Sequence, residues 1–125
     1  MIRELLTKDI KKFIKENPNS ILIDVRSKDE WEIVGKPDGN KINLDTYFLS
    51  IKNIKGEINQ NFIEEFENLK IDRDKEILVM CKSGTRSLLV SNLLIKEDYN
   101  CINISDGFEG NDQNNGWKNV GLPIN

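Results

Sequence analysis

The sequence predicts a single α/β domain built on a largely parallel sheet. Short apolar runs rich in β-branched residues, clearest at Ile21–Val25, Ile77–Met80 and Cys101–Ile104, alternate with segments whose apolar residues recur at helical spacing. The chain has 125 residues, the size of one domain, and no repeat or linker divides it. In such sheets ligands bind beyond the carboxyl ends of the strands, so the residues just after each run are the ones to inspect.

Taken in order, Thr7 is placed to cap a short helix with Ile10, Phe13 and Ile14 on one face, stopped by Asn17-Pro18-Asn19-Ser20. Ile21-Leu22-Ile23-Asp24-Val25 reads as a buried strand. Residues 28–34 carry one or two helical turns, ended by Gly35 and Pro37, and Ile42 with Leu44 suggests another short strand. Segment 45–58 is compatible with an extended hairpin or a packed loop. Residues 61–69 return to helical spacing with Phe62, Ile63, Phe66 and Leu69 on one face. Ile77–Met80 is the strongest strand, 86–96 a helix bearing Leu88, Leu89, Leu93 and Leu94, and Cys101–Ile104 a last strand before a polar loop at 105–116.

Composition excludes several functions. Eighteen basic and 21 acidic residues give a net charge of −3 with both signs interspersed, unlike the basic surface of a nucleic-acid protein. No histidine is present, which removes histidine metal sites and every catalytic pair that uses an imidazole. Two cysteines, Cys81 and Cys101, make neither a four-cysteine zinc site nor a disulfide scaffold, so no metal and no cofactor are expected. Charges interrupt the apolar residues of the first nine positions, unlike a signal-peptide core, and no apolar run approaches the roughly 20 residues needed to span a bilayer. The expected setting is cytoplasmic and reducing, with no membrane partner.

The stretch Glu76-Ile-Leu-Val-Met-Cys81-Lys-Ser-Gly-Thr-Arg86-Ser-Leu-Leu-Val90 carries the chemistry. A buried strand runs into a cysteine, a short polar loop and a helix. Gly84 permits a tight turn, and backbone N–H groups at a helix N-terminus favour an anion. A free thiol titrates near about 8.5, and bringing it to about 6.5 takes roughly 2.7 kcal/mol of preference for the thiolate. A helix N-terminus supplies about 0.3–1 kcal/mol, up to about 2 when partly buried, so N–H hydrogen bonds and cations must add the rest. Lys82 and Arg86 are the cations at hand. Without histidine, the thiolate suits reactions whose leaving group needs little protonation. Sulfane-sulfur transfer is one, and phosphoester hydrolysis through a cysteinyl phosphate is another.

The run Cys81-Lys82-Ser83-Gly84-Thr85-Arg86-Ser87 resembles the C-x-x-G-x-R-S loop of rhodanese-like sulfurtransferases. Leu22-Ile23-Asp24-Val25-Arg26 with Glu30-Trp31 resembles that family's L-I-D-V-R…E-W motif, and Gly107-Phe108, Gly110, Gly116-Trp117 and Gly121-Leu122-Pro123 resemble its closing segment. The three motifs stand in the family's order and span about residues 5–124. The resemblance implies a largely parallel five-stranded sheet flanked by helices on both faces, one domain over residues 1–125, and a persulfide on Cys81. It makes Lys82, Ser83, Gly84, Thr85 and Arg86 the cradle, with Asp24 and Arg26 in support. One departure is plain. The family's G-H-I-P-G-A-x-N is replaced by Gly35-Lys36-Pro37-Asp38-Gly39-Asn40-Lys41-Ile42-Asn43, without the histidine, a form that resembles a minority branch also carrying Asp-Gly-Phe-Glu-Gly, here Asp106–Gly110.

The leading expectation is a single-domain sulfurtransferase that takes a sulfane sulfur from a small anionic donor such as thiosulfate and passes it to a thiol or protein acceptor. The alternative is a persulfide carrier or a non-enzymatic binding module acting with a protein partner. A phosphatase or arsenate-reducing relative is a further reading, but its cradle has five residues between Cys and Arg, whereas four separate Cys81 from Arg86. Plainer readings apply to other residues. Cys101 opens a strand without a glycine loop and reads as an inert thiol, with a resolving cysteine as the alternative. Asp24 and Arg26 read as a structural ion pair. Trp31, Trp117, Tyr47 and Phe48 read as packing residues.

Overall fold

The computed structural model describes residues 2–125. Five strands form one all-parallel sheet in the order β1-β5-β4-β2-β3, with β1 at Arg3–Leu5, β2 at Ser20–Asp24, β3 at Asp45–Phe48, β4 at Glu76–Met80 and β5 at Asn100–Ile104. The central strands β2 and β4 are almost uninterruptedly apolar because both of their faces are covered. Alternation then divides the core. Ile21, Ile23, Ile77 and Val79 face Phe62 and Phe66 of α3 (Phe62–Glu67) and Val90 and Leu94 of α4 (Thr85–Lys96). Leu22, Leu78, Met80 and Ile104 face Ile10 of α1 (Ile10–Glu16) together with Phe108 and Trp117 of the C-terminal segment. The helix α2 (Lys28–Ile33) follows β2 after a three-residue turn.

Register places the site. Asp24 pairs with Met80, so β2 and β4 end side by side, and the Val25 N–H extends the ladder to the Met80 carbonyl at 2.8 Å. Cys81 is the first residue beyond that shared edge. Among the described residues no helix is long and apolar enough to cross a membrane.

Two expectations need correction, and two further features lie outside them. Ile42 and Leu44 do not form a strand. Gly39–Ile42 is a 3-10 turn, Asn43 takes a left-handed conformation with φ of 61°, and the strand begins at Asp45. An added Cβ on Gly39 would meet Thr46 Oγ1 and the Leu44 carbonyl, so the turn folds tightly against the strand it feeds. Thr7 does not cap a helix. A 3-10 turn at Thr7–Asp9 leads into α1, while the Thr7 hydroxyl and N–H both donate to the buried Asp106 carboxylate. The edge strand β1 escapes a reading based on apolar runs because Arg3 and Glu4 are exposed. On α4 the buried face is Ser87, Val90, Ser91 and Leu94, whereas Leu88 and Leu89 are about two-fifths exposed. Small serines let the first turns of this helix lie close to the sheet, and Leu94 with Leu93 continues the inner face.

The ambiguous segment 45–58 divides into β3 and a tight hairpin. Lys52 bridges Ile58, and the Asn53 side chain accepts the N–H groups of Lys55 and Glu57 across the turn.

Candidate active site

Cys81 leaves the central strand and is buried, with 1% of its surface exposed. The chain then turns through Lys82, Ser83 and Gly84 into the N-terminus of the 12-residue helix α4. Gly84 takes φ of 107°, and a Cβ there would stand 2.3 Å from the Ser105 carbonyl oxygen, so only glycine fits. This placement brings the Gly84 N–H to 3.2 Å from Cys81 Sγ. The Ser87 hydroxyl oxygen lies 3.3 Å from the same sulfur, one helical turn further on. A donor and a helix N-terminus thus converge on the sulfur, and both favour negative charge there.

The segment after β5 clamps the loop from the other side. The N–H groups of Phe108 and Glu109 donate to the carbonyls of Cys81 and Lys82 at 2.8 and 2.9 Å. Gly107 allows this approach, since a Cβ there would meet the Lys82 carbonyl oxygen at 2.4 Å.

The cations differ in role. Lys82 is exposed at the mouth. Arg86 turns away from the sulfur and grips Glu30 of α2 with two hydrogen bonds of 2.6 and 3.0 Å. These bonds push the guanidinium above its ordinary value. Burial works against the Glu30 charge, but Arg86 and the Ser27 N–H and hydroxyl overcome it and hold the carboxyl down to about 2. Glu30 therefore both braces Ser27 at the start of α2 and anchors the cysteine loop.

Asp24 and Arg26 pair with each other beneath this layer, and both side chains are fully buried. The Arg26 Nε and Nη2 groups hold the carboxylate at 2.8–3.1 Å, Nη2 also donates to the Gly35 carbonyl, and the guanidinium lies 4.1 Å from the Phe108 ring centre. Burial pushes the Asp24 carboxyl up, and Arg26 pulls it back. This pair ties the end of β2 to the turn after α2 and to Phe108, and it makes no hydrogen bond to Cys81 or the loop residues.

Cys101 lies apart. Its register partner on β4 is Ile77, four residues before Cys81, a separation of about 13 Å along the strands. Both thiols are free, and burial pushes that of Cys101 up to about 12.

A cleft of about 550 Å³ opens over the loop, with Lys82, Arg86 and Glu109 on one side and Lys52, Ile54 and Gly56 of the hairpin on the other. The hairpin within 45–58 is thus a wall of this cleft, which Lys82 and Arg86 line but Cys81 does not. A larger cleft of about 640 Å³ lies on the hairpin's other flank, against Lys28 and Glu32, and no residue of the cysteine loop lines it.

The structure brings Cys81, Gly84 and the start of α4 together, and it adds two residues that the sequence reading did not place beside them, Glu30 and Asn103. Asn103 of β5 accepts the Ser87 hydroxyl proton and donates to the Gly84 carbonyl and the Glu4 carboxylate. Its signal was a polar residue inside the apolar run Cys101–Ile104.

Comparison with known proteins agrees with this architecture. The sequence profile of the rhodanese-like domain matches residues 6–113. An uncharacterised protein of Rickettsia prowazekii is 41% identical over 109 residues, covering 86% of this chain and 84% of that one. The adenylyltransferase and sulfurtransferase UBA4 of Debaryomyces hansenii is 33% identical over 81 residues, 65% of this chain but only 16% of that protein. The crystal structure of Rv0390 from M. tuberculosis superposes with a TM-score of 0.84 at 28% identity, covering 98% of this chain and 96% of that one.

Proposed function

The chain belongs to the rhodanese-like domain family, and from that premise we propose that it is a sulfurtransferase in which Cys81 carries the transferred sulfur as a persulfide. One observation carries the reading. Cys81 Sγ sits at the carboxyl edge of a parallel sheet, bonded by the Gly84 N–H at the N-terminus of α4, in a chain that has no histidine. A nucleophile that must be ionised without an imidazole is supported there by fixed dipoles.

In the proposed cycle the Cys81 thiolate attacks the outer sulfur of thiosulfate. A Cys81 S–S bond forms, the S–S bond of thiosulfate breaks, and sulfite departs with the electron pair. A thiophilic acceptor then attacks the outer sulfur of the persulfide and releases the Cys81 thiolate. The loop from Lys82 to Arg86 surrounds the carried sulfur. Lys82 and Lys52, at the mouth of the cleft, attract the anionic donor, while Arg86, neutralised by Glu30, holds the loop in shape. No cofactor takes part. A reducing, cytoplasmic setting suits two free thiols.

A second reading, a persulfide carrier that serves a protein partner, is favoured by the burial of Cys81 and by the engagement of Arg86 with Glu30, which leave little free charge for a small dianion. The deciding experiment is intact mass after incubation with thiosulfate, for the wild type and Cys81→Ser. A gain of one sulfur atom in the wild type alone, removed by cyanide, is expected. No adduct with thiosulfate but an adduct with a polysulfide or a persulfide donor supports the carrier, and none with any donor overturns both readings.

A further inference from the structure

We propose that the face formed by α2 and the neighbouring hairpin docks a partner protein through a segment in which aliphatic side chains alternate with basic ones, and that this partner accepts the sulfur carried on Cys81. The inference rests on the sulfur-transfer reading above and names the acceptor class that this reading leaves open.

Three observations meet at this face. The first is apolar. Ile33 of α2 is 81% exposed, Ile54 at the hairpin tip is 74% exposed, and Ile58 on the hairpin's returning arm is about half exposed. Single aliphatic residues scattered over a surface are ordinary, but Ile54 and Ile58 line one cleft, the 640 Å³ space on the flank of the hairpin. Ile33 lies one helical turn after Asp29, which lines the same cleft, so the apolar surface continues along α2.

The second is charge. Asp29, Glu32 and Glu57 line this cleft against one lysine, Lys28. None of the three carboxylates forms an ion pair among the described residues, and one oxygen of Asp29 is buried without a hydrogen-bond partner. Beside the cysteine loop, by contrast, Glu30 is paired with Arg86 and Glu109 with Lys118. The flank therefore carries an uncompensated negative field, which suits lysine or arginine on a partner.

The third is position. Asp29, Asn53 and Ile54 also line the cleft over the cysteine loop, so the two clefts meet around the hairpin tip. A segment seated against α2 and the hairpin need only pass that tip to bring a thiol toward Lys82 and Arg86.

Shape selects a protein over a small thiol. Ile33 lines neither cleft and Ile54 stands at the tip of a hairpin, so only a surface that spans both elements takes the two out of water together. In the transfer itself, the thiolate of the docked protein, its proton given to buffer, attacks the outer sulfur of the Cys81 persulfide. An S–S bond to the acceptor forms, the S–S bond to Cys81 breaks, and Cys81 departs as the thiolate.

The test is fluorescence anisotropy of three labelled peptides with the full chain: Arg-Leu-Arg-Leu-Arg, Glu-Leu-Glu-Leu-Glu and Arg-Ser-Arg-Ser-Arg. The first should bind about tenfold tighter than either of the others, and less tightly as salt rises. Ile54→Ser should remove its advantage over the serine peptide. Glu32→Lys with Glu57→Lys should invert the charge preference, so that the glutamate peptide binds best, an outcome that damage to the fold cannot produce. Equal binding of the three peptides by the wild type overturns the docking surface, and so does a charge preference that the double variant leaves unchanged. If the double variant does not fold, Glu32→Lys alone must narrow the preference, and no change overturns the proposal. Salt-dependent dimerisation of the wild type in analytical ultracentrifugation, abolished by Glu32→Lys with Glu57→Lys, would assign the face to a second copy of this chain and overturn it as well. The same peptides extended by Cys-Gly-Gly are then offered to the persulfidated protein. The arginine–leucine peptide should take sulfur with kcat/KM about tenfold above the glutamate peptide, and equal values overturn the assignment of the docked partner as the acceptor. A chain that no donor loads with sulfur defeats the sulfur-transfer reading, whereas anisotropy needs no sulfur and reads the docking alone.

Discussion

Arg86 and Glu30, 56 residues apart in sequence, clasp each other by two charge-assisted hydrogen bonds and join the cysteine loop to α2. The pair resolves a local conflict. Arg86 lies in the first turn of α4, where the helix dipole disfavours a cation, and Glu30 supplies the compensating charge.

This pair should make stability fall in acid. The Glu30 carboxyl is lowered from 4.5 to about 2, so its contribution is complete above pH 4.5 and disappears as pH falls toward 2. The shift corresponds to about 3 kcal/mol, reduced to about 2 because the pair borders an open cleft. Glu30→Gln retains an acceptor for the Ser27 N–H but loses the charge. Urea unfolding should show the variant about 2 kcal/mol less stable at pH 7 and nearly equal to the wild type at pH 2. An undiminished gap at pH 2 would assign the loss to packing instead.

The Asp24–Arg26 pair should respond to substitution in a different way. Asp24→Asn leaves a guanidinium charge with no exposure and no counter-ion, and should cost about 3–5 kcal/mol in urea unfolding. Replacing both residues by apolar ones, Asp24→Leu with Arg26→Met, should recover most of that loss, since the desolvation of two charges is removed together. A double variant as unstable as the single one would show that Arg26 matters through Gly35 and Phe108 and not through Asp24.

Gly84 and Gly121 share a positive φ but not their surroundings. A Cβ at Gly84 collides with the Ser105 backbone, whereas one at Gly121 meets nothing within 4 Å. Gly121→Ala should cost about 1 kcal/mol from backbone strain, with sulfur loading intact. Gly84→Ala must displace the loop, so it should lose more stability and abolish loading measured by intact mass. Normal loading in Gly84→Ala would mean that the Gly84 N–H bond to Cys81 is dispensable.

The central strands and the cysteine loop were legible because each is local. Apolar continuity marks a strand buried on both faces, and Gly84 three residues after Cys81 marks a strand-to-helix turn. What escaped depends on partners distant in sequence. Arg3–Leu5 is a strand only because β5 pairs with it. Thr7 serves Asp106 across 99 residues and not its own helix. Arg86 was read as a cation for the substrate, because nothing local says that Glu30 reaches it first. Half of the inner face of α4 gave no apolar signal, because proximity to the sheet selects serine at positions 87 and 91. Ser87 and Asn103 belong to different elements, and only the packing of α4 on β5 joins them.

Cys101 should behave as the inert thiol that its surroundings demand. Burial raises it to about 12, so at pH 8 almost none is ionised, and its place near the start of β5 is about 13 Å from Cys81 along the sheet. Disulfide geometry allows Cα atoms no more than about 7 Å apart, so the two cannot bridge without unfolding an edge of the core. Iodoacetamide at pH 8 should therefore modify Cys81 and spare Cys101 in the folded protein, with both modified in urea. Diamide treatment should produce no monomer lighter by two hydrogens. Peptide mapping that finds Cys101 alkylated in the absence of denaturant, or an intramolecular disulfide after diamide, would require β5 to separate from β4 at ordinary temperature and would reopen a role for the second cysteine as a resolving thiol.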